Sequence, residues 1–171
     1  MKFTTYTTFP EQTSNESLWI LVDSEQLQSN LNTYQINNLE SILTATQFKA
    51  NFNETLPLFG QLSTQPHSQL LGLGKAAELQ AAKLAKLAQT IIKSAQNKFK
   101  HIAIDIAALP VEYHYLFALS LTQAAYGYDE FKSKKNEFVL QQVDLISSQT
   151  SLDENQLALV HAVQSGQSYA R

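Results

Sequence analysis

Leu18-Trp19-Ile20-Leu21-Val22 is an unbroken apolar run that stops at Asp23-Ser24. A run this short, apolar on both faces, predicts a strand buried between two layers of helices. His101–Ala107 alternates instead, with Ile102, Ile104 and Ile106 on one side and Ala103, Asp105 and Ala107 on the other. The second set should face solvent, so Asp105 reads as a solvent-side residue more readily than as a tuned carboxylate. Residues 3–8 are β-branched and aromatic and predict an edge or opening strand, and Phe138–Ile146 reads as another strand. Thr55–Leu62 is a short strand that Pro57 confines to an edge or makes irregular. His67–Lys75 runs as a strand into the turn Gly72-Leu73-Gly74.

Between these lie helical spacings. Asn38–Phe48 places Leu39, Ile42, Leu43 and Thr46 three and four apart, with Asn37 or Asn38 positioned to cap. The stretch from Ala76 to about Asn97 carries an apolar face of Ala77, Ala81, Leu84, Leu87, Ala88, Ile91 and Ala95. Lys83, Lys86 and Lys93 lie opposite. Pro110 opens a helix from Val111 to about Ala125, whose apolar residues surround most of its axis. A last helix begins at Ser151 or Asp153, with Leu157, Val160 and Val163 on one stripe, and runs on towards Arg171. Strands and helices alternate, which predicts an α/β fold: a mixed, largely parallel sheet flanked by helices on both faces. Neither a repeat nor a low-complexity linker divides the chain, so residues 1–171 read as a single domain.

The 171 residues are 44% hydrophobic, with nine Phe and seven Tyr, a composition that can fill a core. Twelve basic residues face 15 acidic ones, a net charge of -3, so nucleic acid and anionic membrane are poor partners. The basic clusters Lys98–Lys100 and Lys132-Lys134-Lys135 read as solvated loops. Without cysteine there is no disulfide, thiolate metal site or Cys nucleophile. Met1–Pro10 lacks the apolar stretch of a signal peptide, and no run approaches the ~18 apolar residues of a membrane span. A cytoplasmic protein with no membrane contact is expected.

The candidates for chemistry are few. Gly72-Leu73-Gly74 joins a strand to a helix, where free N–H groups could hold phosphate. Ala77 takes the third glycine's place of a dinucleotide fingerprint, but no acidic residue ends a strand about 20 residues on, and Asp105 lies much further along. A plain turn is the simpler reading. His67, His101, His114 and His161 are scattered without metal-ligand spacing, although Glu112 lies two before His114, and read as surface or capping residues. Asp129 and Glu130 before Lys132 read as a surface ion-pair turn, and no G-x-S-x-G elbow occurs. No catalytic, cofactor-binding or metal-binding residue is assembled.

Glu54-Thr-Leu-Pro-Leu-Phe-Gly-Gln-Leu62 and Gln69-Leu-Leu-Gly-Leu-Gly-Lys75 resemble, in order, the stretch before the "GLG" turn of leucyl (cytosol) aminopeptidases and that turn itself. Ala124-Ala-Tyr-Gly-Tyr-Asp-Glu-Phe-Lys-Ser133 is similar to the family's "Y-x-F-D-x-Y-K-S" block, with Tyr and Phe exchanged at two places. Leu157–Arg171 is similar to the helix that leads to the family's "A-R-D-L-x-N" segment. The resemblance implies the non-catalytic N-terminal domain, macro-domain-like, of a two-domain enzyme that releases N-terminal residues, often Leu, from peptides. It implies two divalent metal ions, zinc or manganese, in a C-terminal catalytic domain that is absent from this chain. The metal-ligand segment "N-T-D-A-E-G-R" does not occur here, so no site residue carries over. The implied partners are that catalytic domain and, for the full-length protein, a homohexamer built mainly through it. The fragment alone is expected to be inactive and monomeric. A competing reading is a macro-like binding module for ADP-ribose or another nucleotide, with Gly72-Leu73-Gly74 as its phosphate loop.

Overall fold

A computed structural model describes residues 1–8, 15–62, 65, 67–126, 139–149 and 152–169, with side chains as far as Gly166. In chain order the elements are β1 (Lys2–Tyr6), β2 (Ser17–Asp23), α1 (Leu27–Leu31), α2 (Leu39–Thr46), β3 (Thr55–Pro57) and β4 (Ser68–Gly74). Then follow α3 (Ala81–Ala95), β5 (His101–Asp105), α4 (His114–Tyr126), β6 (Gln142–Ile146) and α5 (Glu154–Tyr169). The sheet order is β1-β6-β5-β2-β4-β3. Every pairing is parallel except β3 with β4. This is the mixed, largely parallel α/β sheet that the alternation of elements predicts.

β2 is central, with Leu18 opposite Ser68 of β4 on one side and Ala103 of β5 on the other. All seven of its residues are buried. Trp19 and Leu21 join Ile102 and Ile104 on the first face of the sheet, against Leu84, Leu87 and Ile91 of α3 and Phe117 and Leu121 of α4. Leu18, Ile20 and Val22 face the other way, among Leu31, Phe48 and Leu58, with Ile42 and Leu43 of α2 packed on them. Helices thus flank both faces, and the Ile102/Ile104/Ile106 row meets the α3 stripe as its spacing requires.

Several local expectations give way. The long helix is interrupted: Ala76–Glu78 forms a 3₁₀ turn and α3 starts at Ala81. Ala77 and Ala81 are therefore exposed rather than on the apolar face. Lys83 is not fully turned outward, because its ammonium lies 5.3 Å from the centre of the Phe52 ring. Asn38 does not cap α2 with its side chain and instead takes a left-handed φ of 55°. The strand expected over 55–62 pairs only over Thr55–Pro57, on the edge where a proline without N–H can sit. Helix α1 has no clear apolar period in the sequence and buries only Leu31. On α5, Val160 is buried and Leu157 packs on the core, but Val163 is 37% exposed. That helix starts with a reciprocal cap: Gln156 N–H donates to Asp153 Oδ1 at 2.7 Å, and Asp153 N–H donates to Gln156 Oε1 at 3.2 Å.

Candidate functional site

The Gly72-Leu73-Gly74 turn is built for close backbone approach. Loop 50–54 crosses the end of β4, and a Cβ on Gly72 would lie 2.1 Å from the Asn51 carbonyl oxygen. Gly74 has φ +68°, which an L side chain adopts only with strain. Both amides are already engaged: Gly72 N–H donates to Glu54 O at 2.8 Å and Gly74 N–H to Ala50 O at 3.0 Å. N–H groups bonded to a neighbouring loop cannot cradle a phosphate, so the geometry favours the plain-turn reading. The loop is in turn held from its own side. Glu54 Oε2 accepts Asn51 N–H at 2.9 Å, and Thr90 Oγ1 of α3 donates to Asn53 Oδ1 at 2.7 Å.

The histidines are not brought together, and among the described residues no three metal-ligand side chains converge. His67 packs against Phe99, with ring centres 5.6 Å apart. His101 Nε2 lies 2.8 Å from Oδ2 of Asp144, a carboxylate buried in β6 that also accepts Gln142 Nε2–H at 2.9 Å. Sequence could not show this pair, because β5 and β6 meet only in the sheet. His114 corrects the surface reading: it is buried, its Nε2–H donates to Leu109 O at 2.8 Å, and burial pushes its pKa down. It is a neutral staple for the β5–α4 loop. Asp129, Glu130 and Lys132-Lys134-Lys135 lie outside the described residues.

Asp105 is the larger correction. The side of β5 that also carries Ala103 is not the solvent side: Ala103 is fully buried in the second layer. Asp105 ends β5 beneath the α1–α2 connection, where the Tyr34 hydroxyl donates to Oδ2 and Ala107 N–H donates to Oδ1 at 2.8 Å. Burial raises the Asp105 pKa, and those two bonds partly offset it. Burial, and then the carboxylate, push the Tyr34 hydroxyl far above its ordinary value. Tyr34 is 71 residues away in sequence, and no local signal pairs the two.

Asp105 also borders a crevice of about 130 Å³ between the carboxyl ends of β2 and β5. From there β2 leads to α1 and β5 leads to α4, elements that cover opposite faces. A reversal of this kind is where parallel α/β sheets place ligands. Yet the crevice's carboxylate, Asn30 and Thr33 already bond within the fold. Asp105 is bonded as above, Asn30 Oδ1 accepts Asp23 N–H at 3.0 Å, and Thr33 Oγ1 donates to Asn30 O at 3.3 Å.

The fold defines a largely parallel-sheet α/β domain. The chain belongs to the cytosol aminopeptidase family: the model of that family's N-terminal domain matches residues 20–135, which includes the Gly turn, the stretch before it and the Ala124–Ser133 block. It is 99% identical over 171 residues to a protein named "Probable cytosol aminopeptidase" of Acinetobacter baumannii (strain SDF), covering all of this chain and 36% of that protein. It is 54% identical to the protein of the same name from Acinetobacter baylyi, again with all of this chain and 36% of the other covered. The chain thus spans about a third of the length of the curated relatives it matches. A tomato leucine aminopeptidase mutant shares the fold, with a TM-score of 0.70 at 17% identity over 97% of this chain and 36% of that one.

Proposed function

We propose that residues 1–171 are the single, non-catalytic N-terminal domain of a metal-dependent aminopeptidase that removes N-terminal residues, often Leu, from peptides. The observation that carries this reading is the match of the family's N-terminal-domain model over residues 20–135. The coverage of 36% of relatives named cytosol aminopeptidases supports it, since most of such a protein lies outside these residues. Two divalent metal ions, zinc or manganese, belong to the catalytic domain. The family's metal-ligand segment "N-T-D-A-E-G-R" does not occur in this chain, and on this reading no step of the reaction is routed through it. Its partners are then the catalytic domain and, at full length, a homohexamer, while this chain alone is a monomer. The family name and the sequence composition both suit the cytoplasm. The nucleotide-module alternative gains no observation, because the amides of Gly72 and Gly74 are bonded to loop 50–54.

The test compares this chain with the longer protein that contains it, on leucine p-nitroanilide with added manganese or zinc. Turnover is expected only from the longer protein. Metal-dependent turnover that stays with the 171-residue chain through successive purifications would place chemistry here and overturn the reading.

A further inference from the structure

A second cavity opens at the other end of the sheet, where β2 and β4 begin, and its polar groups are not closed on one another. It measures about 230 Å³, and Ser68, the first residue of β4, lines it. Ser68 is 3% exposed, and among the described residues its hydroxyl has no hydrogen-bond partner. Leaving a buried hydroxyl without a partner is unfavourable, so it is a group that a ligand can satisfy. Ser17, the first residue of β2, and Ser94 of α3 bring two more hydroxyls to the same cavity. Lys98, just past the end of α3, brings an ammonium, and among the described residues no carboxylate lines the walls. The remaining wall mixes aromatic and polar groups: Phe99 lies along it with His67 packed against its ring, Gln69 and Pro57 complete it, and Phe59 is 78% exposed at its side.

We propose that this cavity is a binding site for a compact oxyanion carried on a planar ring. The hydroxyls of Ser68, Ser17 and Ser94 donate to the oxyanion, and Lys98 balances its charge. The ring lies against Phe59 and Phe99, whose faces favour offset or edge contacts with another ring. The volume limits the ligand to about one ring with its head group, well below the ~300–1,000 Å³ of sites for larger ligands. The crevice at the carboxyl ends of the strands is the weaker candidate, although the sheet topology favours it. Its carboxylate, Asn30 and Thr33 already bond within the fold, whereas here a buried donor has no partner among the described residues.

Phenyl phosphate is the probe, with inorganic phosphate and phenol as its two halves, each titrated into the 15N-labelled chain. Phenyl phosphate is expected to bind saturably, shifting the amides of residues 67–69 and 94–99, and to bind more tightly than either half. Lys98→Ala should weaken it about tenfold and Ser68→Ala about three- to tenfold. Lys86→Ala, on the exposed side of α3, should leave it unchanged. No saturable shift with phenyl phosphate overturns the proposal. So does a Ser68→Ala chain that folds and binds as well as the parent, which would make the lone hydroxyl a packing remnant. Equal weakening by Lys86→Ala and Lys98→Ala would also overturn it, because attraction would then be general rather than local.

Discussion

The two faces of the sheet are covered by different means. On the first, α3, α4 and α5 lay down Leu84, Leu87, Ala88, Ile91, Ile92, Phe117, Leu121 and Val160, all at 1% exposure or less. On the second, α2 has no fully buried residue and α1 has only Leu31. The rest of that cover is irregular chain, with Phe48, Ala50, Leu58 and Leu62 pressed onto Leu18, Ile20 and Leu70. Of the non-glycine residues with positive φ among those described, Asn38, Gln47 and Ala50 belong to this second cover, and Asn53 lies in loop 50–54, where it reaches Thr90 of α3. Each left-handed residue of this kind costs about 1–2 kcal/mol, which only a well-determined surrounding can offset. The first face is held by apolar area transferred from water along periodic helices. The second also buries apolar side chains, but they come from irregular chain, so backbone hydrogen bonds, close approach and a few polar contacts must hold that chain in place.

If that division is right, the most damaging single change is a cavity on the first face. Leu87 is fully buried in the middle of α3. Leu87→Ala should cost about 2–5 kcal/mol in urea denaturation. An unchanged midpoint would show that α3 does not carry the core and would break the comparison at its stronger side. The next effect belongs to the second face. Gly72→Ala drives a Cβ to 2.1 Å from Asn51 O and 2.5 Å from the Ala50 carbonyl carbon, both of them backbone. The loop must shift, at about 1–3 kcal/mol. Stability equal to the parent would mean that loop 50–54 does not rest on β4.

The same division explains what could be read from the sequence. The first face was legible because Leu84, Leu87, Ala88 and Ile91 recur at helical spacing, and Ile102, Ile104 and Ile106 at strand spacing. Each pattern is imposed by burial against one partner layer. The second face was not, because its cover has no period to detect. Gln47 and Ala50 take left-handed backbone without being glycine, and the fold around them decides that. Asp105 shows the consequence. Its strand alternation marked the right side of β5, but solvent was the wrong inference, since sequence gave no sign of the chain segment that returns over it. Tyr34 lies in the stretch between the apolar run and α2 that carries no pattern. In the same way, the pairing of His101 with Asp144 depends on the register of two strands 43 residues apart. The Gly turn was legible as a shape, and which loop required it was not.

The smallest of these effects is also the most specific to the second face. The Tyr34–Asp105 bond ties the α1–α2 connection to the carboxyl end of β5. Burial raises the Asp105 pKa, so its contribution to stability is fully present below the unfolded carboxylate value and is lost as pH rises through the raised folded value. The Tyr34 hydroxyl works against that loss by bonding the ionised form. Tyr34→Phe should therefore raise the Asp105 pKa further. It should cost about 1–2 kcal/mol at a pH above the raised Asp105 pKa, where the bond is charge-assisted. At a pH below the folded Asp105 pKa, where the carboxyl is protonated in both chains, only a neutral hydrogen bond is lost and the cost should shrink. In an Asp105→Asn background the Tyr34→Phe cost should become independent of pH, because the titrating partner is gone. Hydrogen exchange should localise the effect, with faster opening of the α1–α2 segment and little change in α3. Urea denaturation of the four chains of this cycle at the two pH values is the measurement. A Tyr34→Phe cost that stays constant with pH in the parent background would show that the bond does not report on Asp105 ionisation. The second face would then be held, like the first, by burial alone.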